Sequence, residues 1–365
     1  MNLGSLKENT NLEQRVSITP DIVKKYINLK LNVFLEKDYS NHLGIKDKDF
    51  EILGAKILSS KEEVIKKSDI ILQVNLPEEN IFQYFKENSS LIGVFDPVKN
   101  KNFLNKIIKK KVNIFSVDLL PRITRAQSMD VLSSQANLAG YRAVIETMYE
   151  FTKAIPMMMT AAGTIPAAKI LVIGAGVAGL QAIATAKRLG AIVSATDVRS
   201  AAKEQVESLG GKFLIVDSTE NLEGEGGYAK EASEVFKSKQ KNLLKLNIAK
   251  NDIIICTALV PGKKAPRILT EDMIDGMKSG SIIYDLAVAQ GGNSAYSEPD
   301  KKIDKNGVKI IGARNILNKI PVTASNLYSK NLFSFVNNLL NKDKNEINLN
   351  KEDEIISKTL LDKEI

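Results

Sequence analysis

Residues 170–179 read ILVIGAGVAG, an apolar run that leads directly into glycines spaced as GxGxxG. Such a turn needs Gly174 for the tight bend, Gly176 so that the backbone can approach a pyrophosphate, and Gly179 for close packing of the next helix on the strand. We predict a strand at 170–173 and a helix at 177–189, with Val177 and its neighbours presenting N–H groups to phosphates. The stretch predicts the first βα unit of a Rossmann fold.

An acidic residue follows the next predicted strand, 192–196. Asp197 lies 23 residues beyond Gly174, where a carboxylate accepts hydrogen bonds from the ribose hydroxyls of NAD and repels the 2′-phosphate of NADP. Val198 and Arg199 complete the segment; an arginine here either accommodates a 2′-phosphate or is a solvated cation at a helix start. The segment favours NAD(H) as the cofactor.

Two further segments are candidates for contact with the same ligand. Thr257 and Leu259 end the predicted strand 253–257 and would lie along the cofactor, although ordinary packing at a strand end explains them equally well. Gly227 and Tyr228 belong to the glycine-rich stretch 223–230, which is either a lid that closes over the nucleotide or a plain linker.

A strongly polar segment precedes the glycine turn. Residues 122–135 read RITRAQSMDVLSSQ and concentrate guanidinium, amide, carboxylate and hydroxyl groups in one loop-to-helix stretch. Asp130 and Ser133 fall on one helix face at i, i+3, where they could converge on a carboxamide. Arg122, Gln127, Asp130 and Ser133 are therefore candidates for holding a nicotinamide; a capped helix start with local ion pairs is the alternative.

Strand-like and helix-like patterns alternate along the whole chain, which is typical of parallel sheets. We predict strands at 32–35, 55–58, 69–74, 91–95 and 112–117, and then at 170–173, 192–196, 213–216, 253–257, 282–286 and 308–311. Long helices are expected at 129–151 and 326–340, and at best partial order from 341 onward.

These elements indicate an α/β protein with two parallel-sheet βα domains, the second a Rossmann fold. The domains are joined by long helices, with the cofactor in the cleft. The first domain, flavodoxin-like or Rossmann-like, comprises 1–128 plus 322–365, and the second, the NAD(H)-binding domain, comprises 129–321.

Composition narrows the function classes. A chain of 365 residues, 44% hydrophobic, suits two domains. Its charge of +8 comes from dispersed lysines, which argues against nucleic-acid binding. Cys256 reads as a small core residue and His42 as a surface residue, and we predict no metal site. With neither a secretory signal nor an apolar span of its own, the protein is expected in the cytoplasm.

The motifs together carry a family resemblance. PRITRAQSMDVLSSQANLAGYRA, ILVIGAGVAGL, GGYAKE and TALVPGKKAPRILTEDMIDGMKSGSIIYDLA resemble the NAD(H)-binding component, domain I, of proton-translocating nicotinamide nucleotide transhydrogenase. The resemblance runs from about Asn11 to Leu340. It implies that the loop with Arg122, Ile123, Thr124, Arg125 and Gln127 binds the nicotinamide end of NAD(H), with Arg122, Gln127, Asp130 and Ser133 as catalytic positions. Tyr228 matches the tyrosine of the family's mobile loop.

The resemblance also implies partners. The family pattern is a homodimer docked on membrane-spanning subunits and on a separate NADP(H)-binding component, at the cytoplasmic face of the inner membrane. Hydride passes directly between the two nicotinamides, with Re/Si specificity, while the membrane part moves protons. Because no apolar span occurs up to Ile365, the membrane and NADP(H) components are expected to be separate chains and this chain to be active only with them.

Two other function classes compete. Alanine dehydrogenase has a similar fold and shares the start Glu13-Gln14-Arg15-Val16, but it requires a lysine for the substrate carboxylate and a histidine for proton transfer. The corresponding stretches here, 72–77 and 94–97, read LQVNLP and VFDP. Direct hydride exchange needs no general acid or base at the reacting carbons, which fits their loss. A nucleotide-sensing module without turnover is the third class.

Overall fold

The computed structural model describes all residues except 219, 221, 223, 225–229, 231, 261, 342–345 and 364–365. The chain divides into two compact units, the first formed by Met1–Gln135 with Leu317–Ile365 and the second by Ala136–Ile316. The domain bounds inferred from the sequence lie close to these divisions and remain a prediction.

Strands and helices alternate along most of the described chain. The strands are β1 (Asn2–Ser5), β2 (Asn32–Glu36), β3 (Lys56–Leu58), β4 (Ile70–Leu72), β5 (Ser90–Gly93), β6 (Asn113–Ser116), β7 (Met158–Thr160), β8 (Gly163–Ile165), β9 (Lys169–Ile173), β10 (Ile192–Thr196), β11 (Lys212–Phe213), β12 (Ile253–Cys256), β13 (Ile282–Asp285), β14 (Lys302–Lys305), β15 (Val308–Gly312), β16 (Leu340–Asn341), β17 (Glu346–Ile347) and β18 (Leu360–Leu361). The α-helices are α1 (Pro20–Asn28), α2 (Asp47–Glu51), α3 (Lys61–Lys67), α4 (Lys101–Ile108), α5 (Val131–Glu150), α6 (Val177–Arg188), α7 (Ala202–Ser208), α8 (Glu234–Ile248), α9 (Glu271–Asp275), α10 (Pro321–Leu339) and α11 (Glu354–Thr359).

The first unit is built on a seven-stranded sheet in the order β18-β6-β5-β4-β1-β2-β3. All neighbours are parallel except β18 and β6. The parallel strands therefore follow the doubly wound order 3-2-1-4-5-6. Their residues are apolar on both faces because helices cover both: Leu72 and Ile92 pack in one core cluster, and Ile71 and Leu91 in another.

The central strand β1 is absent from the sequence-based assignment, whereas β2 to β6 match it. Asn2, Gly4 and Ser5 have low strand propensity, so the short segment carries little signal. Its fit is sterically tight: a Cβ on Gly4 would overlap Ser68 and lie 2.8 Å from Val64 Cγ1 of α3. Glycine at this position lets α3 lie directly on the strand.

The point between β1 and β4 is where the strand order reverses, and such points ordinarily receive ligands in open α/β sheets. In the first unit, buried side chains fill it. Ser5 Oγ donates to Leu72 O at 2.7 Å and lies 2.7 Å from Tyr39 Oη, while Tyr328 Oη donates to Gln73 O at 2.7 Å. Packing thus occupies the position at which a nucleotide would enter this sheet.

The C-terminal segment is more ordered than its composition indicates. α11 buries Ile355 and Ile356, and β18 pairs antiparallel with β6 through Leu360 and Phe115. The expectation of at best partial order is therefore wrong for residues 346–361. A segment this short carries only a few apolar positions, and its pairing partner lies more than two hundred residues earlier, so no local pattern reveals it.

The second unit contains a seven-stranded sheet in the order β11-β10-β9-β12-β13-β15-β14, parallel except for β14. Apart from β14 this is again the order 3-2-1-4-5-6, which confirms the Rossmann prediction. All six predicted strands are present, although 213–216 shortens to Lys212–Phe213. The half-exposed edge strand β14 was missed. Cys256 is buried in β12, as predicted.

The two predicted long helices are present with shifted starts. α5 begins at Val131, after a 3₁₀ helix at Thr124–Met129, and the division between the units falls within it. α10 begins at Pro321, five residues before the predicted start at Asn326. Proline suits the first helical position because its missing N–H has no partner there.

Candidate functional site

The glycine turn of the second unit joins β9 to α6. Gly174 has φ +95°, a conformation that side chains other than glycine rarely adopt. A Cβ on Gly179 would overlap the carbonyl of Gly174, so Gly179 is needed for the helix to start this close to the strand. Both glycines therefore have the structural roles that the spacing predicted for them.

Gly176 differs from its neighbours because it faces open space. It is exposed and precedes the first residue of the twelve-residue helix α6. No heavy atom of the described residues lies within 4 Å of the position that a Cβ would take there. The first N–H groups of a helix have no partner within the helix and favour anions. The open position beside Val177 thus fits the pyrophosphate of a dinucleotide.

Thr257 supports the turn from behind. Its Oγ1 donates to Gly174 O at 2.8 Å, with Ile173 O at 3.2 Å. The side chain therefore fixes the bend, whatever further contact it makes with a ligand. Leu259, two residues on, is 39% exposed and leaves an apolar surface beside this turn.

Asn293 organises the same segment and was not found by sequence reasoning. Its side chain is bonded to both polar groups of Ala258, accepting from the N–H at 3.0 Å and donating to the carbonyl at 2.8 Å, and also donates to Pro266 O at 2.8 Å. The only local signal is its position directly after Gly291 and Gly292, which does not identify a partner 35 residues away.

Asp197 lies at the end of β10, beside the turn. Its Oδ2 accepts from Ala175 N at 2.7 Å, which ties the carboxylate to the glycine turn. Arg199 donates to it from the backbone N and from the guanidinium. Val198 is partly buried between them. The three predicted residues are therefore brought together at the edge where β9 and β10 end.

The polar loop of the first unit leads into α5. Asp130 accepts from Ser133 N at 2.8 Å and Ser133 Oγ at 2.6 Å. This is the geometry of a capped helix start, the alternative interpretation of the pair. Gln127 and Arg122 are exposed, Thr124 is exposed and Ile123 is partly buried. The loop thus presents polar groups around a fixed helix start.

Arg125 has a different environment from the rest of the loop. Its guanidinium donates to both carboxylate oxygens of Asp353, at 2.8 Å and 2.6 Å, and to Asn338 Oδ1 at 3.3 Å. This contact raises the pKa of Arg125 and lowers the pKa of Asp353. The described contacts therefore connect Arg125 with the C-terminal segment, and its assignment to the cofactor stays a proposal.

Asn331 of α10 holds the loop from the opposite side. It is buried, donates to Ser128 O at 2.8 Å and accepts from Ser134 Oγ at 2.6 Å. The bridge fixes the backbone between Gln127 and Asp130. Because its partners lie about two hundred residues earlier in the chain, no local pattern indicates it.

Gly227 and Tyr228, the predicted lid residues, lie outside the described residues. His42 is exposed, as predicted, with Nε2 2.8 Å from Gln14 O. Among the described residues, no group of three or more His, Cys, Asp or Glu side chains could hold a metal ion. Within the same part of the chain, no helix is long and apolar enough to cross a membrane.

A buried charged cluster lies in the first unit. Arg15 donates to Glu13 Oε2 at 2.7 Å and to Gln135 Oε1 at 3.0 Å. Glu8 accepts from Val74 N at 2.7 Å through Oε1. Burial raises the pKa of Glu8 to about 8, and the charge of Glu13 adds to this effect while Arg15 opposes it. Glu8 is therefore a neutral acid over much of the physiological range.

The sheet order and the glycine turn define a two-domain α/β protein with a dinucleotide-binding second domain. The N-terminal domain of alanine dehydrogenase/PNT matches residues 4–139, and the C-terminal domain of the same family matches residues 143–364. The chain belongs to the alanine dehydrogenase/PNT family, which confirms the resemblance.

Similarity to individual proteins favours the transhydrogenase branch. An NAD(P) transhydrogenase subunit alpha of Rhodospirillum rubrum is 47% identical, over 98% of this chain and 95% of that protein. The crystal structure of transhydrogenase from Sinorhizobium meliloti is 44% identical, with a TM-score of 0.89 over 99% of this chain and 98% of that one. Alanine dehydrogenase 2 of Staphylococcus aureus is 27% identical over 89% of this chain and 83% of that protein. A transhydrogenase role follows for the chain.

Proposed function

We propose that the chain is the NAD(H)-binding component of a proton-translocating transhydrogenase. It binds NADH and passes hydride directly to NADP⁺ held on a partner component, with Re/Si specificity. The observation that carries the proposal is the open position of Gly176 at the start of α6, in a chain 47% identical to a transhydrogenase alpha subunit. When bound, NADH supplies the hydride, and the chain supplies binding and orientation.

The second unit binds the adenosine and pyrophosphate parts. N–H groups at Val177 and its neighbours face the pyrophosphate across Gly176, while Gly174 and Gly179 keep the turn compact. Asp197 accepts hydrogen bonds from the adenosine ribose, and Val198 and Leu259 offer apolar contact. Thr257 contributes by fixing the turn, through its bond to Gly174 O.

The polar loop of the first unit orients the nicotinamide. Arg122 and Gln127 donate to the carboxamide, and Asp130 and Ser133, already bonded to each other, keep the helix start fixed around it. Ile123, Thr124 and Arg125 complete the loop, and Gly227 and Tyr228 are assigned to a lid. Because hydride exchange between two nicotinamides needs no proton at the reacting carbons, orientation is the whole of their task.

Partners follow from the same proposal. Proton movement requires membrane-spanning subunits, and the acceptor nucleotide requires the NADP(H)-binding component; both are assigned to other chains. The chain itself is placed as a homodimer at the cytoplasmic face of the inner membrane, attached through those subunits.

Reconstitution tests this function. The purified chain is mixed with a purified NADP(H)-binding component, and hydride exchange from NADH to an NADP⁺ analogue is followed by absorbance. We expect NADH binding by the chain alone and exchange only in the mixture. Reduction of NAD⁺ by L-alanine with the chain alone would instead support the amino-acid dehydrogenase, which the 27% identical relative keeps as the alternative.

Two loop variants refine the same assay. Gln127→Asn and Asp130→Asn should slow exchange by about 10²-fold, since a misplaced ring loses orientation first, while the NADH dissociation constant changes far less. Asparagine caps a helix nearly as well as aspartate, so Asp130→Asn keeps the start of α5. Asp21→Asn, at an exposed carboxylate of α1, is the matched control. Equal losses of binding and rate would assign these residues to affinity alone.

A further inference from the structure

All hydrogen-bonding positions of the Asp197 carboxylate are taken by the protein itself. Oδ2 accepts from Ala175 N at 2.7 Å and Arg199 Nη2 at 2.9 Å, and Oδ1 accepts from Arg199 N and Arg199 Nε, both at 2.9 Å. The side chains of Asp197 and Arg199 are 7% and 18% exposed. A carboxylate offers about four lone-pair positions, so these four donors saturate it.

The four bonds are not equivalent. Two come from backbone N–H groups, of Ala175 in the glycine turn and of Arg199 itself, and they stay in place as long as the local backbone does. The other two come from the guanidinium, which rotates away about side-chain torsions without any change of the backbone. An adenosine ribose also brings two donors, its 2′ and 3′ hydroxyls.

We propose that Arg199 is a specificity-determining latch on the ribose-binding carboxylate. Without nucleotide it closes Asp197; on binding, the two guanidinium bonds are exchanged for two ribose hydroxyl bonds. The inference rests on the proposed function, because it requires NAD(H) to bind at this turn.

The latch sets how much the ribose hydroxyls contribute to affinity. Because NADH must first displace a bidentate charged pair, much of the hydroxyl–carboxylate interaction is offset by the bonds that are lost. Removing the guanidinium leaves the carboxylate open. The gain then belongs to ligands that carry the hydroxyls. Arg199 acting instead as a direct ligand of the nucleotide predicts the opposite, since its removal would weaken binding.

Equilibrium binding to the full chain tests the latch, with NADH and its 2′-deoxyadenosine analogue as probes. In Arg199→Ala we expect the NADH dissociation constant to fall about tenfold, which corresponds to about 1.4 kcal/mol, and the constant of the 2′-deoxy analogue to fall about threefold or less. Arg199→Lys, which keeps the charge but not the bidentate geometry, should lie between wild type and Arg199→Ala. Lys203→Ala, at an exposed lysine of α7, removes the same charge nearby and should change neither constant.

Thermal unfolding of each variant accompanies the titrations. Unchanged or weaker NADH binding by a folded Arg199→Ala protein, or an equal gain for both ligands, would overturn the latch while leaving NADH binding by the wild type intact. Failure of the wild type itself to bind NADH would contradict the proposed function instead.

Discussion

Single glycines in the turn after β9 separate binding from folding. Gly174 and Gly179 are required by backbone conformation and by packing, whereas Gly176 faces open space. Alanine at Gly176 meets no steric obstacle within the described protein, since its φ of −77° suits any residue. The same methyl group therefore has different consequences three residues apart.

Gly176→Ala and Gly179→Ala form a matched pair. Gly176→Ala should leave the unfolding midpoint unchanged but raise the NADH dissociation constant at least about tenfold, because the methyl group occupies the space of the pyrophosphate. Gly179→Ala should lower the free energy of unfolding by about 1–3 kcal/mol through overpacking. Urea unfolding and NADH titration of both variants measure the difference. Loss of stability in Gly176→Ala would contradict the open site.

Glu8 predicts a pH dependence of stability. Burial raises its pKa from 4.5 to about 8 in the folded protein, so between these values the native state holds a proton that the unfolded state has released. Stability therefore falls as pH rises through this window, by up to about 1.4 kcal/mol per pH unit from this group. Urea unfolding at several pH values should show a flatter profile for Glu8→Gln than for wild type.

The control for Glu8 is Glu51→Gln, at an exposed carboxylate of the same unit. It should follow the wild-type profile. The groups that face Glu8 include Glu13 and Arg15, and the partial cancellation of their charges leaves burial as the main cause. A Glu8→Gln profile parallel to wild type would show that Glu8 is ionised in the folded protein.

Residue roles were predictable where a local pattern defines them. The GxGxxG spacing and Asp197 after the next strand identify their own positions, because turn geometry and strand order constrain them. Contacts between distant residues carry no such pattern. Arg125 with Asp353, and Asn331 with Ser128, were invisible for this reason, although both hold the predicted loop.

At the level of elements, the parallel strands with continuous apolar runs were predicted and the short or half-exposed ones were missed. β9 and β12 are rich in isoleucine and valine and lie in the sheet centre. β1, β14 and β18 lack that composition, and their place in the sheets depends on partners far along the chain. Helix starts shifted by a few residues because proline and 3₁₀ turns fix them locally.

The C-terminal elements make a testable contribution to the first unit. Truncation before Glu354 removes α11 and β18, including the buried Ile355 and Ile356, and should lower the free energy of unfolding by about 3–6 kcal/mol. Urea unfolding measures the change. Truncation after Leu361 keeps both elements and should cost less than about 0.5 kcal/mol. Equal stability of the two truncated proteins would show that the segment is dispensable.

At the level of the whole molecule, the hairpin of β7 and β8 presents an apolar surface to solvent. Met157, Met158, Met159 and Ile165 are all exposed, Met159 by 81%. An isolated two-stranded hairpin is marginally stable in water, and exposed apolar patches mark interaction sites. We infer that the hairpin contacts the second copy in the proposed homodimer.

Sedimentation equilibrium tests the role of the hairpin. Met159→Asp should weaken dimerisation by about tenfold or more, since a buried unpaired charge at an interface is costly. Ile52→Asp, at a residue of the first unit that is 73% exposed, should leave the dimer intact. A dimer that tolerates Met159→Asp would place the interface elsewhere.

The first unit is discontinuous, and this affects the order in which the protein matures during synthesis. Residues 136–316 emerge as an uninterrupted stretch, whereas the first unit still lacks Tyr328 and Phe335 from its core and the partner of β6. At translation rates of about 5–20 residues per second, the N-terminal part must wait many seconds with an unpaired strand edge. Newly made chains should therefore depend on chaperone protection until residue 361 has left the ribosome.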